Sequence, residues 1–470
     1  MAKRYVVGAL MGALMLVVTG CPSGDDNPVP PPGDAGTQQP DDAGTTPPPG
    51  DAGTQQPDDG GTQQPGDMTL NEGEACTTTA SCMAGLYCAE SKCAPLHIAV
   101  TVGPVGSAQT PSYAVVVPFN KAVSPTRLSE DSATTNKFPR WNPAGSAVAF
   151  VEIAADNTVS LVSRGIPFSA AQAATPLATG AADAANTTDF RYMEWEPSST
   201  IAWSQSSATA TTGIWTYGGS GPAVSTTQTG VFPSWASDGA SFVYSANGLG
   251  LLKRVLGETS SSSVSGVSTT AEQPLHNKAN GVVLYLDAKG QEEASILTPL
   301  TGLYTINTAA AASTPNEIAL ARDEGAASAT GQLKSYIANH TWAPGGTHVA
   351  YVRVFYFKPL VGDAYLCSGA NCGGQQGNVV YVRRIDPATG APAGDELKFA
   401  DEATLPSFSP DGQFLAYVSG AQLKVQKIDP AATTAETIKV GTLISHNWSG
   451  ENHRVLSNRG DDHRPRWQPR

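Results

Sequence analysis

Seven cysteines and seven histidines are the residues of this 470-residue chain whose types can do nucleophilic or metal chemistry. Cys76, Cys82, Cys88 and Cys93 stand together, separated by five, five and four residues. Zinc sites usually show tighter pairs, two to four residues apart. With Cys21 set aside, the remaining six, which include Cys367 and Cys372, form an even set. In an oxidising compartment an even set reads as three disulfides. The four clustered cysteines allow three connectivities, and spacing does not choose between them. Cys367 and Cys372 are expected to staple a loop between two strands. Near the C-terminus His446, His453 and His463 lie close to Asp461 and Asp462, among Arg454, Arg459, Arg464, Arg466 and Arg470. A metal site or a basic patch is conceivable there, and solvent-facing turn residues are the ordinary expectation. There is no His-Glu-x-x-His pair, no Gly-x-Ser-x-Gly elbow and no glycine-rich phosphate loop. No catalytic residue, metal ligand or cofactor is therefore assigned.

The N-terminus supplies an address. Lys3 and Arg4 precede an apolar run from Val6 to Val18 that is short for a membrane span. The ending Val18-Thr19-Gly20-Cys21 resembles a bacterial lipobox. That resemblance implies a signal peptide over 1–20, cleavage before Cys21 and lipid on its thiol. Pro22 in place of Asp points, by the same resemblance, to the outer membrane. Residues 21–75 read as a stalk. The stretch Pro31 to Asp42 returns from Pro48 to Asp59, and a shortened copy runs from Gly61 to Asp67. Such a segment offers little to bury, so ordering it would cost entropy without return. Its acidic residues leave the rest of the chain near −4 out of a total of −13. That balance does not fit a nucleic-acid binder, which needs a basic footprint. The stretch Cys82 to Cys88 resembles small cysteine-rich modules of myxobacterial-type lipoproteins and sets a module over 76–95.

From residue 96 onward β-branched and aromatic runs alternate with Gly, Pro, Asp and Ser, as in an all-β domain. A unit recurs within it. An aromatic residue is followed by a small polar residue, a turn and an apolar strand, as in Phe408-Ser-Pro-Asp-Gly412 leading to Tyr417. Trp141, Trp195, Trp235, His276, Trp342, Phe408, Trp448 and Trp467 hold the aromatic or anchor position, with drift at Trp195 and His276. Six of the eight tryptophans fall there, as expected if a large ring packs each unit on its neighbour. Intervals near 40 suit four short strands and their turns. The two intervals of 66 are expected to carry loop insertions, around 287–333 and 352–378.

The Trp/Phe-Ser-Pro-Asp-Gly unit resembles the TolB-type, or WD40-like PD40, propeller repeat. The resemblance implies a β-propeller over 96–470, with seven blades and with six or eight as alternatives. Residues 113–128 are expected to give the outer two strands of a blade, completed by inner strands from 446–458, which would shut the ring. Trp467 would start an extra inner strand or cover an edge. The expected function is a lipid-anchored envelope protein, not an enzyme. Its membrane contact is the N-terminal lipid, and its propeller binds a protein or glycan partner. The alternative is a lyase- or hydrolase-like enzyme with its site in the central channel.

Overall fold

In a computed structural model, the structure describes residues 70–469 apart from short connecting stretches, the longest being 167–173, 180–188, 289–300 and 360–374. Cys21, Cys367, Cys372 and the 21–69 part of the stalk lie outside the described residues. Among those residues, seven antiparallel sheets of four or five strands follow one another as the blades of a propeller. We number them from the sheet that opens at Thr135. The inner strands of blades 1 to 6 are Thr135–Trp141, Asp189–Trp195, Val231–Trp235, Glu272–His276, Gly331–Trp342 and Ala403–Phe408. Each ends on an anchor residue and turns into the second strand. Gly239 and Gly412 make two of these turns at φ +64° and +69°, a region that favours glycine. The Asp238 and Asp411 carboxylates accept the N–H two residues on, fixing the turn.

Blade 7 closes the ring from both ends of the chain. Its second, third and outermost strands are His97–Pro104, Tyr113–Pro118 and Thr126–Arg127. Its inner strand comes in two pieces: His453–Val455 pairs with 102–104, and Arg466–Trp467 pairs with 98–99. The N-terminal side thus gives three strands, where two were expected. His446 belongs to the outermost strand of blade 6, Lys439–His446. Trp448 ends no inner strand. It sits in the link between blades 6 and 7, donating its indole N–H to the Val123 carbonyl at 2.9 Å. Trp467 holds the seventh anchor position instead. The expected insertion at 287–333 contains the third and fourth strands of blade 4, Gly302–Asn307 and Asn316–Ala319. Around 352–378 the strands of blade 5 are longer, up to twelve residues, and the connection 360–374 between two of them lies outside the described residues. They extend from the end of the blade opposite its anchor, Trp342.

The anchors do more than fill volume. Trp141 donates its indole N–H to the Arg466 carbonyl (3.0 Å), Trp235 to Glu194 (3.2 Å), Trp342 to Leu275 (2.9 Å) and Trp467 to Ser407 (3.0 Å). Every acceptor is the residue just before the preceding blade's anchor. His276 follows the same rule: its Nδ1 lies 2.9 Å from the Ser234 carbonyl and so carries the proton. Imidazole takes the role of indole, so this unit keeps the chemistry of the repeat while losing its residue. Phe408 has no ring N–H to give, and Trp195 Nε1 has no partner among the described residues.

Cys76 pairs with Cys88 and Cys82 with Cys93. The sulfurs of Cys76, Cys82 and Cys93 lie within 4.8 Å of one another, but these bonds consume them. The module docks on the closing seam. Gly85 donates its N–H to Asp411 at 2.7 Å and accepts from Leu96, while a Cβ on Gly85 would meet the Phe119 ring at 2.3 Å.

Burial, reinforced by the nearby Lys278 charge, lowers the His276 pKa from 6.5 to about 4. Between those values the unfolded chain binds a proton that the folded chain refuses, so stability falls as pH drops from 6.5 towards 4. The full loss for this one group is about 3 kcal/mol. His276→Phe is expected to destabilise the protein near pH 7 by about 1–3 kcal/mol, because the Ser234 carbonyl loses its donor. It is also expected to flatten the acid slope, as read from urea unfolding between pH 4 and 7. An unchanged slope would reject this role.

Candidate functional site

The inner strands share a second feature, which sets up the channel. Three residues before each anchor, Phe138, Tyr192, Phe232, Gln273, Asn339 and Leu405 adopt φ between +47° and +59°. Each lies at a register shift in its strand. These are β-bulges on residues other than glycine, and each costs about 1–3 kcal/mol unless its surroundings compensate. The bulge N–H is released from the ladder. Phe138 donates it to Thr101 Oγ1 (3.0 Å) and Gln273 to Ser245 Oγ (2.9 Å). Both hydroxyls sit at one register position on the second strand of the preceding blade. In blade 1 that position is Val151, opposite Lys137. It has no hydroxyl to offer the N–H of Tyr192 in blade 2. Asp462 Oδ1 accepts that N–H instead, at 2.8 Å.

Asp462 reaches Tyr192 because blade 7 replaces its bulge with an excursion. Between Val455 and Arg466 the chain leaves the sheet, and a short turn, Gly460–His463, contacts the inner strands of blades 1, 2 and 6. Asp462, His463 and Arg464 are 1%, 3% and 3% exposed. These are buried channel residues, which overturns the expectation of solvated turns. The His463 ring packs 5.0 Å from Phe138. Arg140 closes on Asp462 from the blade 1 side at 3.4 Å, giving a buried ion pair. Its guanidinium also donates to the carbonyls of Met193 (3.0 Å), Pro139 (3.0 Å) and Asp462 (3.2 Å). His446 is buried too, with Nε2 3.1 Å from the Phe119 carbonyl, and burial lowers its pKa. His453 lies by Arg127, at 3.4 Å, and its pKa is lowered by burial and then by that charge. The three histidines serve separate places and form no ligand set.

On the anchor side of this plug lies a bowl of about 570 Å³. Its wall is apolar: Trp141, Trp195, Trp467, Phe408, Tyr192 and Phe232, with prolines 143, 197, 233, 274, 410 and 469. Tyr192 and Phe232 face each other at 3.7 Å. Arg140, Arg466, Lys278 and Glu194 bring the charge. Lys278 binds Glu194 at 2.7 Å, so the carboxylate of the wall is paired. Trp141, Trp195, Phe408 and Trp467 were expected as blade anchors, not as the wall of a bowl. The sequence did not show Arg140, Tyr192 or Lys278, which no motif marks.

Two other places gather ionisable groups. In blade 5 the Arg353 guanidinium, fully buried, grips both oxygens of Glu396 at 2.8 and 2.9 Å and also reaches Leu320 O and Ser335 Oγ. Glu324 accepts from Ser335 and Arg322. This network holds the short Arg322–Asp323 strand on the blade. In blade 4 Glu272 lies half-buried on the inner strand, three residues before Leu275 of the bowl, with its pKa raised by burial.

No family model matches the chain, and no curated protein matches it. Among solved structures it is similar to TolB from Acinetobacter baumannii, at 12% identity over 80% of this chain and 67% of that one, with a TM-score of 0.39. An oligogalacturonate lyase from Vibrio parahaemolyticus is similar at 13% identity over 71% of this chain and 82% of that one, TM-score 0.43. A prolyl endopeptidase structure is similar at 11% over 76% of this chain and half of that one, TM-score 0.45.

Removing one partner of the Arg140–Asp462 pair strands a buried charge. Arg140→Met is expected to cost about 3–5 kcal/mol. Arg140→Met with Asp462→Leu is expected to cost clearly less than Arg140→Met alone, since neither charge then remains. Urea titration of the three proteins checks this, and a double variant no more stable than the single one would contradict the pair. The seven sheets, in chain order and closed by strands from both ends of the chain, make this protein a β-propeller of seven blades with TolB-like and other propellers as its structural neighbours.

Proposed function

We propose that this is a lipid-anchored cell-envelope protein, of the myxobacterial lipoprotein type, whose propeller binds a partner in the bowl on its anchor face. The observation that carries the reading is the bowl itself. It is a cavity of ligand size with aromatic and proline walls and a few placed charges, the usual make-up of a binding site. Its carboxylate, Glu194, is tied to Lys278, and its cationic floor is braced by backbone carbonyls. Such groups recognise a ligand more readily than they transfer protons. Anchoring rests on Val18-Thr19-Gly20-Cys21 and the acidic, proline-rich segment after it. The two disulfides at 76–93 accord with an oxidising compartment.

The test has two arms in the native envelope. Cys21→Ser is expected to move the protein from the membrane fraction to the soluble one, and an unmoved variant would count against the lipid. Crosslinking followed by mass spectrometry is expected to recover one recurring partner. Trp195→Ala or Tyr192→Ala should lower its yield at least ten-fold while leaving the fold intact by circular dichroism. Equal recovery from all three proteins would exclude the bowl as the binding surface.

A further inference from the structure

The geometry points to a carboxylate-recognition site at Arg140 and Tyr192 N–H, now filled by this chain's own Asp462, that an aspartate-bearing peptide segment of a partner occupies from the bowl by displacing residues 460–465. This deepens the binding reading above and rests on it.

Three observations carry the inference. First, part of the site stands apart from the plug: the carbonyls of Met193 and Pro139 hold the Arg140 guanidinium from the sides. The Tyr192 N–H is turned out of its strand by the bulge at φ +52°. A guanidinium and a backbone N–H converging on one oxygen make a charge-assisted carboxylate site. Second, the structure shows what the site accepts. Its occupant is an aspartate in a short peptide turn, which selects a peptide acid as the ligand. Third, Arg140 belongs to both places, lining the bowl and gripping the plug. A ligand entering the bowl therefore meets the same guanidinium that holds Asp462. The plug lies outside the strand ladder, between the pairings that end at Val455 and resume at Arg466. Its displacement breaks no strand pairing of the other six inner strands. A ligand that binds only the opened state shifts the population by its difference in affinity for the two states.

The probe is a fluorescein-labelled peptide, Gly-Asp-Asp-His-Arg-Pro, copying residues 460–465. Its control carries Asn at the third position. Asp462→Asn weakens the internal competitor while keeping an acceptor for Tyr192. This variant is expected to bind the probe at least ten-fold more tightly than the native protein does, and to prefer it ten-fold over the control peptide. Adding Arg140→Met should abolish that preference. In parallel, millimolar probe added to the native protein should speed amide hydrogen exchange at 460–465 and leave blade 5 unchanged. This second measurement stands even where Asp462→Asn folds poorly. Equal binding of probe and control by a folded variant, or no change in exchange at 460–465, would overturn the proposal. The crosslinked partner of the bowl could survive that result, in which case the binding reading stands and only the displaced-acid site falls.

Discussion

A ring-nitrogen hydrogen bond from five of the seven anchors to the blade before it is the contact on which the propeller depends. Stacked sheets bury apolar faces against each other, but burial is non-directional and would let neighbouring blades slide. The bond from Trp141 to Arg466 O, and its counterparts at Trp235, His276, Trp342 and Trp467, fixes the sliding coordinate at one point per interface. Five of seven interfaces carry it. At Phe408 the ring is kept without the donor, and its hold comes from packing with the Leu415 and Ile438 cluster.

Beneath the belt, a left-handed bulge lies three residues before every anchor of blades 1 to 6, including Trp195 and Phe408, which make no ring-nitrogen bond to the preceding blade. At Phe138, Tyr192 and Gln273 the bulge N–H bonds outside its own sheet, since a buried donor must find an acceptor. Thr101 and Ser245 solve this with hydroxyls from the neighbouring blade. At Val151 the neighbour is apolar, as it is at Leu286 and Val352 in blades 4 and 5, and in blade 2 the acceptor is Asp462 of the plug.

Much of this was legible in the sequence, because the anchor and its turn lie within about ten residues of each other. Trp141, Trp235, Trp342 and Phe408 announce themselves by that local signal. His276 was visible as a place in the repeat, though its function as a donor needed the Ser234 carbonyl, which is distant in sequence. Trp448 misled for the converse reason: a tryptophan followed by Ser-Gly imitates an anchor, yet a 3-10 turn follows it where a second strand should begin. The bulge residues were invisible. Phe, Tyr, Gln, Asn and Leu share no chemistry, and the common factor is a backbone angle imposed by packing. Closure was half legible, since 113–118 and 126–127 read as strands, while the pairing of 97–104 with both 453–455 and 466–467 spans most of the chain. The burial of Asp462 and His463 could not be read at all, because a polar turn looks the same in solvent and in a channel.

The seam between the chain's two ends is the least continuous part of the ring, and three devices meet there. Trp467 bonds Ser407, and Gln468 bridges the gap by accepting from His97 N–H and donating to Gly145 O. Phe119 then packs against Phe414 at 4.8 Å and Trp467 at 5.6 Å, with Gly85 of the cysteine module beneath it. The module is the last part of the chain before the second strand of blade 7, so under the proposed anchoring any pull on the stalk reaches it first. Its two crossed disulfides confine that load to covalent bonds within 76–93. What passes onward to the seam acts through Leu96, Gly85 and Asp411, at the edge of the anchor face. The same blades carry Phe408, Pro410 and Trp467 in the bowl wall, so the seam on which the cysteine module packs is also part of the wall of the bowl.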